Sequence, residues 1–318
     1  MEVVPEIEPL APGRGRHGRQ NLCVLGAQIA AWAALLSLAS SSRVPWPIRA
    51  AAVAAFCLVM QGVFSLMHEF FHGNAHRLPA LNYAIGFAGS LLFGTSATLH
   101  RVNHWGHHVR NRSSAERGDF VHPGESAARK VAVYYGAQLG GLWLGGAIFP
   151  LAVLLIPYRV TPLLARTRLF NTYAAAFGQF RAREWTAMRL EGLALAAFWT
   201  VLLGSGAWSA GAVAGCYAAF AVSWSSLQWV YHLGTPLHPI EGAYNLRAPW
   251  LVRLLFLNFN YNLTHHRQPG LAWQELPGAT DLRQTQPLWY RWLRLARPPV
   301  RMPEDSGVLD RALAKTYF

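Results

Sequence analysis

The chain has 318 residues, of which 53% are hydrophobic and only 14% charged, and it carries a formal net charge of +13. This is too apolar for an ordinary soluble enzyme. The basic excess is almost wholly arginine, with lysine only at Lys130 and Lys315. Because apolar blocks separate the arginines, they read as contacts with anionic lipid headgroups that set membrane topology, not as a nucleic-acid surface.

Residues 1–20 mix Pro and Glu with Arg14, Arg16 and Arg19 and lack an apolar core. They are expected to be a disordered tail ahead of a single integral-membrane domain over 21–318. Apolar runs at 21–41 and about 50–67 are long enough to cross a bilayer and are separated by the turn Ser42–Ile48. A shorter apolar piece, about 80–98, leads into a polar, basic segment from Arg101 to Lys130. A third long run, about 131–157, contains paired glycines and ends at Pro157. Next comes a basic segment carrying Arg159, Arg166, Arg168, Arg181, Arg183 and Arg189, then apolar runs near 190–204 and 210–231. The remainder to Phe318 is polar, with Trp and Arg interleaved.

Counting 131–157 as a full span would place the second arginine-rich segment opposite the N-terminal arginines. Treating it as a re-entrant or interfacial hairpin keeps these segments on one side, as the positive-inside rule prefers. Non-helical backbone there is acceptable only where protein covers it. The expected fold is therefore an all-α membrane protein of about four transmembrane helices, with a re-entrant or interfacial hairpin and a cytoplasmic His-rich cap. Arg43 and Arg49 fall on the opposite side in this arrangement. Cys23, Cys57 and Cys216 lie inside apolar runs without metal or disulfide spacing and read as packing residues.

Chemistry concentrates in the histidines. His68 and His72 are one helical turn apart where the second run leaves the membrane. A zinc protease uses the same H-E-x-x-H, with Glu69 as its base, but that reading leaves the other clusters unexplained. His76 lies a further turn along and reads as an outer partner more than a ligand. In His100-Arg-Val-Asn-His104-Trp-Gly-His107-His108, four histidines would project from one side of a helix, and neutral imidazole is a common metal ligand. His232 closes the last apolar run, with Gln228 one turn earlier on the same face. Near the end, Asn262-x-x-His265-His266 repeats the spacing of His104-x-x-His107-His108. Two boxes of one form plus H-x-x-x-H rarely coincide by chance.

In order, these boxes resemble the membrane fatty acid desaturases, within the wider histidine-box di-iron superfamily of hydroxylases and carotenoid oxygenases. The resemblance runs from about His68 to Pro277. It is best at His68-Glu-Phe-Phe-His72-Gly, at His104-Trp-Gly-His107-His108 with Asp119-Phe120 downstream, and from Tyr244 through His265-His266-Arg-Gln-Pro269 to Trp273-Gln-Glu-Leu-Pro277. It implies metal ligands at His68, His72, His104, His107, His108, His232, His265 and His266. Asn262 stands where the family has His or Gln, and its carboxamide oxygen would be a weaker ligand than imidazole. Gln228 would hold a metal through water. His100 has no counterpart and is expected in the outer shell.

The implied cofactors are two iron ions, with dioxygen as co-substrate. Two irons can share the electrons needed to cleave dioxygen, and neutral imidazoles do not over-charge a low-dielectric site. The implied activity is an acyl-lipid desaturase of a cytoplasmic membrane, its boxes facing the cytoplasm. A hydroxylase or ketolase acting on a lipid or carotenoid is the alternative. An intramembrane zinc protease and a non-catalytic scaffold remain as readings from other classes.

Glu69, Asp119 and Glu241 are near enough in sequence to fix imidazole tautomers. His122-Pro-Gly-Glu125 resembles the haem-binding turn of a fused b-type cytochrome, but no such domain surrounds it. The expected electron donor is therefore a separate protein, a ferredoxin or a b-type cytochrome with its reductase. Arg291, Arg294 and Arg297, spaced i, i+3, i+6, suggest an interfacial amphipathic helix. His17 and His238 receive no role.

Overall fold

A computed structural model describes residues 15–164 and 180–302 of the chain. Residues 1–14 of the expected tail, Arg166 and Arg168 of the basic segment, and residues 303–318 lie outside the described residues. Among the described residues, four helices are long and apolar enough to cross a membrane: α1 (Gly18–Ser40), α2 (Trp46–Phe71), α7 (Ala182–Gly204) and α8 (Ala210–Val230). The protein is an all-α membrane protein. The first helix begins before residue 21, so Gly18, Arg19 and Gln20 belong to a span and not to a tail.

Polar contacts at one end of the bundle fix the orientation of the four helices relative to one another. The α1–α2 and α7–α8 turns are fastened together where Trp208 Nε1 donates to Ser37 Oγ (2.8 Å) and the Ser209 amide donates to Ser40 Oγ (3.2 Å). The C-termini of α2 and α8 therefore share the other face of the membrane. With 26 residues, α2 is about 39 Å long, longer than a hydrocarbon core of roughly 30 Å. At its C-terminal end every residue from Gln61 to Phe71 is buried, against α1, α3 and the cap.

Between the two helical pairs lies a hairpin that enters from the cap side. Pro79 opens α3 (Pro79–Phe93) at a position where a missing N–H costs nothing. Gly94 closes it with a left-handed φ of 85°, and Ser96 then caps α4 (Ala97–Arg110) by accepting from the Leu99 amide (3.0 Å). The backbones of α2 and α3 meet closely at Gly86, where a Cβ would lie 2.2 Å from the Phe70 ring. Trp32 Nε1 donates to the Tyr217 hydroxyl (2.9 Å), which donates to the Leu92 carbonyl (2.5 Å), so one phenol ties α1, α8 and the end of α3 together.

The run at 131–157 does not form a span. It is α5 (Ala127–Gly136) and α6 (Leu142–Ala152), broken at Leu139 and Gly140, where Gly140 adopts φ 109°. Helix α8 covers the break. A Cβ on Gly140 would lie 3.3 Å from the Ala221 Cβ, and Ser225 Oγ takes up the Trp143 amide (3.1 Å). Bilayer-depth backbone can leave the helical conformation when protein satisfies it in this way.

The rest of the cap is irregular, with short helices α9 (Trp250–Leu255), α10 (Asn262–Arg267) and α11 (Leu288–Leu293). Two short parallel pairs staple it: β1 (Phe120–Val121) with β4 (Val300–Arg301), and β2 (Asn245–Arg247) with β3 (Thr285–Pro287). In the expected amphipathic stretch, Trp289, Trp292 and Leu293 are exposed, as an interfacial helix requires. Arg291 departs from the pattern. It is buried over the Tyr244 ring (4.0 Å) and donates to the Leu233 carbonyl, because the cation is worth more there than on the outer face.

Replacing Tyr217 with Phe removes both of its hydrogen bonds and strands the Trp32 N–H in an apolar bundle. Thermal unfolding in detergent should show a loss of about 1–3 kcal/mol.

Candidate metal centre

Four elements deliver the histidines to one place below the cap. The end of α2 supplies His68 and His72, α4 supplies His104, His107 and His108, the turn just past α8 supplies His232, and α10 supplies His265 and His266. Each element is pinned locally. Trp105 Nε1 on α4 donates to the Phe71 carbonyl of α2 (2.7 Å). At the end of α4, Asn111 Nδ2 donates to the carbonyls of Pro239 (2.9 Å) and Gly242 (3.1 Å). The first turn of α10 is held by Asn245, whose side chain accepts from the Thr264 amide and donates to the Thr264 hydroxyl, both at 3.0 Å.

The eight histidines sort into two adjacent groups. His68, His72, His104, His108 and His265 form one, and His107, His232 and His266 form the other, the candidate ligand atoms within each group lying within 4.8 Å of one another. The sort runs through the H-H pairs. Successive residues on a helix are about 100° apart, so His107 and His108 face different groups, as do His265 and His266. The expectation that His100, His104, His107 and His108 share one side is corrected accordingly. His100 turns away altogether, into a nest of Phe64, Phe71, Phe93 and Trp224 rings.

In the first group the ring nitrogens converge. Nε2–Nε2 distances are 2.8 Å for His72–His104, 2.9 Å for His108–His265, and 3.0 Å for both His68–His265 and His104–His108. Each middle ring has two neighbours but only one hydrogen or one lone pair along its axis, so straight hydrogen bonds cannot satisfy the set. A cation at the point of convergence can. Metal–nitrogen bonds of roughly 2.0–2.1 Å at right angles put neighbouring nitrogens about 3 Å apart. Five imidazoles also exceed the four positions of a tetrahedral zinc site.

The second group is oriented from behind. His107 Nδ1 donates to Glu116 Oε2 (2.5 Å) and His232 Nδ1 to the Gly242 carbonyl (2.8 Å), which leaves both Nε2 lone pairs for the centre. His266 is buried, its ring centroid 5.1 Å from that of His107 and 5.2 Å from that of His232. Asn262, one turn before His266 on α10, is buried too, and its Oδ1 has no partner. An orphaned buried acceptor one helical turn from a converging ring fits a metal-binding role. Burial holds His104, His108, His232, His265 and His266 well below the usual imidazole range and takes His72 down to about 3, so the rings stay neutral, as ligation requires.

Several expected partners go elsewhere. Glu69 accepts from the Trp273 amide (3.3 Å), so the carboxylate that a zinc protease would need as its base is committed to the cap. Asp119 pairs with Arg112 through two bonds (2.8 and 2.9 Å), and Glu241 with Arg267 (2.8 and 2.6 Å). His76 packs against Gly18 of α1 and its Nδ1 accepts from the Leu78 amide (3.0 Å), which makes it a joint of the N-terminal contact. Gln228 Nε2 is buried without a hydrogen-bond partner. The His122–Glu125 stretch is a turn closed by hydrogen bonds in both directions. Glu116 is the residue that sequence reasoning missed. It stands nine positions after His107, beyond the helix end, where no periodicity links the two.

Two outcomes follow for the centre. Glu116→Gln should weaken metal binding in the three-histidine group about 10- to 100-fold and leave the five-histidine group unchanged, read by competition with a metal-sensitive dye. For the metal-free protein, folded-state pKa values lie below the unfolded value, so stability is complete above about pH 6.5. It should be lost progressively as pH falls toward about 4 for His100 and about 3 for His72, measured by denaturant unfolding across that range.

Residues 45–296 match the family model for fatty acid desaturases. Comparison with curated proteins finds no match. The matched stretch takes in all eight converging histidines and most of the membrane bundle that carries them. On that ground the chain belongs to the fatty acid desaturase family.

Proposed function

We propose that the protein is an oxygen-dependent acyl-lipid desaturase, using two histidine-held irons to introduce a double bond into a fatty acyl chain. The observation that carries this reading is the pair of adjacent all-imidazole groups, five and three, at one end of a membrane bundle of the desaturase family. His68, His72, His104, His108 and His265 would hold one iron. His107, His232 and His266 would hold the other, with Asn262 as the candidate further donor. Two irons held there would relay electrons from an external donor to dioxygen and supply an oxidant able to remove hydrogen from an unactivated methylene.

The chain's own residues do the rest. Gly242 and Glu116 keep His232 and His107 in the tautomer that points Nε2 inward. Phe259 lies edge-on to His68 (4.8 Å) and Phe71 lies by His104 (5.5 Å), so the walls of the centre are apolar and suit an acyl chain better than water. A centre at the membrane boundary can take its lipid from the bilayer and its electrons from a separate aqueous donor, a ferredoxin or a b-type cytochrome. With the arginine-rich segments on the same face, the boxes would face the cytoplasm of an inner membrane.

Metal analysis of the purified protein should find about two irons per chain, whereas one zinc and no iron would sink the proposal. A host carrying the gene should gain unsaturated acyl chains. New oxygen atoms without unsaturation would move the reading to a hydroxylase or ketolase. His107→Ala or His265→Ala should abolish product while the chain still inserts, and full activity in either would refute the site.

A further inference from the structure

Glu191 is an acid in the middle of a membrane-spanning helix, roughly 14 Å along α7 from its first residue. It is buried and touches none of the histidines that converge on the centre. A carboxylate at such depth is expensive and is retained where partners and function require it. Its partners are four, and all are donors: the hydroxyls of Tyr83 (2.8 Å), Ser96 and Thr98 (2.6 Å), and the backbone amide of Thr98 (3.0 Å). Four donors match the lone-pair capacity of one carboxylate.

Those donors have a common address. Ser96 is the N-cap of α4 and Thr98 lies in its first turn, where free amides and the helix dipole favour a negative charge. The Ser96 hydroxyl is used at both ends, donating to Glu191 and accepting from the Leu99 amide. Tyr83 brings α3 to the same carboxylate. Glu191 thus grips the deep end of the helix whose other positions are fixed by Trp105 and Asn111.

We propose that Glu191 is a positioning residue: by clasping the N-terminus of α4 it sets that helix's height and rotation, and so delivers His104 and His108 to one group and His107 to the other. The proposal rests on the two groups being metal sites. Helix α4 is a rigid rod, so a slide or turn moves all three histidines together. Loss of the clasp is felt in both groups at once, unlike loss of Glu116, which reaches His107 alone of the converging histidines and otherwise pairs with Arg110 (3.4 Å).

The test uses the full-length, metal-free chain in detergent, titrated with cobalt(II) and followed by its visible ligand-field bands. Glu191→Gln keeps the volume but puts an amide among four donors. It should weaken both binding steps about 10-fold, the range expected for outer partners of metal ligands, and shift the bands. Thr98→Val, which removes one donor, should shift them the same way by less. Glu184→Gln is the control, because Glu184 caps α7 by accepting from the Arg181 amide (2.8 Å) and does not reach α4. It should lower stability with cobalt binding unchanged. Normal binding in Glu191→Gln, a loss confined to one step, or an equal loss in Glu184→Gln would each overturn the proposal. If Glu191→Gln does not fold, Thr98→Val decides, and unchanged bands there overturn it as well. A wild-type chain that takes up no cobalt refutes the metal centre itself.

Discussion

An imidazole is useful to a metal only while it is unprotonated, and keeping eight of them neutral in a small volume is the constraint on which the rest of this structure depends. For His72, His104, His108, His232, His265 and His266 burial accomplishes it by denying the ring the water that a charged form would need. The same burial makes facing lone pairs costly to hold together, so the scaffold must be stiff where the rings converge. Stiffness comes from outside the centre. The end of α2 is enclosed by the cap, α4 is gripped at its two ends and its middle, and α10 has its first turn tied to β2 through Asn245.

Much of this was legible in the residues. The apolar runs mark four helices, because a bilayer-spanning segment must be long and nearly uncharged, although α7 begins eight residues before its run, at Ala182, where arginines and a glutamate mask the helix. The boxes were legible because side chains that converge from one helix keep a fixed spacing. Charge bias pointed to a re-entrant or interfacial hairpin over 131–157 in place of a span; the structure has two short helices there, broken at Leu139 and Gly140, the first of its glycine pairs.

What was not legible depends on contacts across the chain. Glu116, the Gly242 carbonyl and Glu191 act at positions that no local period connects to the groups they serve. Asp119 and Glu241 lie near the boxes in sequence but are claimed by Arg112 and Arg267, since a bidentate guanidinium pair outcompetes a neutral ring. Proximity in sequence pointed at the wrong acids. His100 sits on the right helix, but its position on the helix aims it at aromatic rings one turn below the centre.

The two vicinal histidine pairs have a consequence of a different kind. Because His107–His108 and His265–His266 each straddle the two groups, the offset between the groups is copied twice from the covalent geometry of neighbouring residues. Bond lengths and helical pitch do not relax as side-chain packing does. Packing around the rings can vary, yet the separation of any two ions held there would be gauged by two short rulers, one on α4 and one on α10. A protein built this way can change its lining, loops and partners freely while the interval at its heart stays constant.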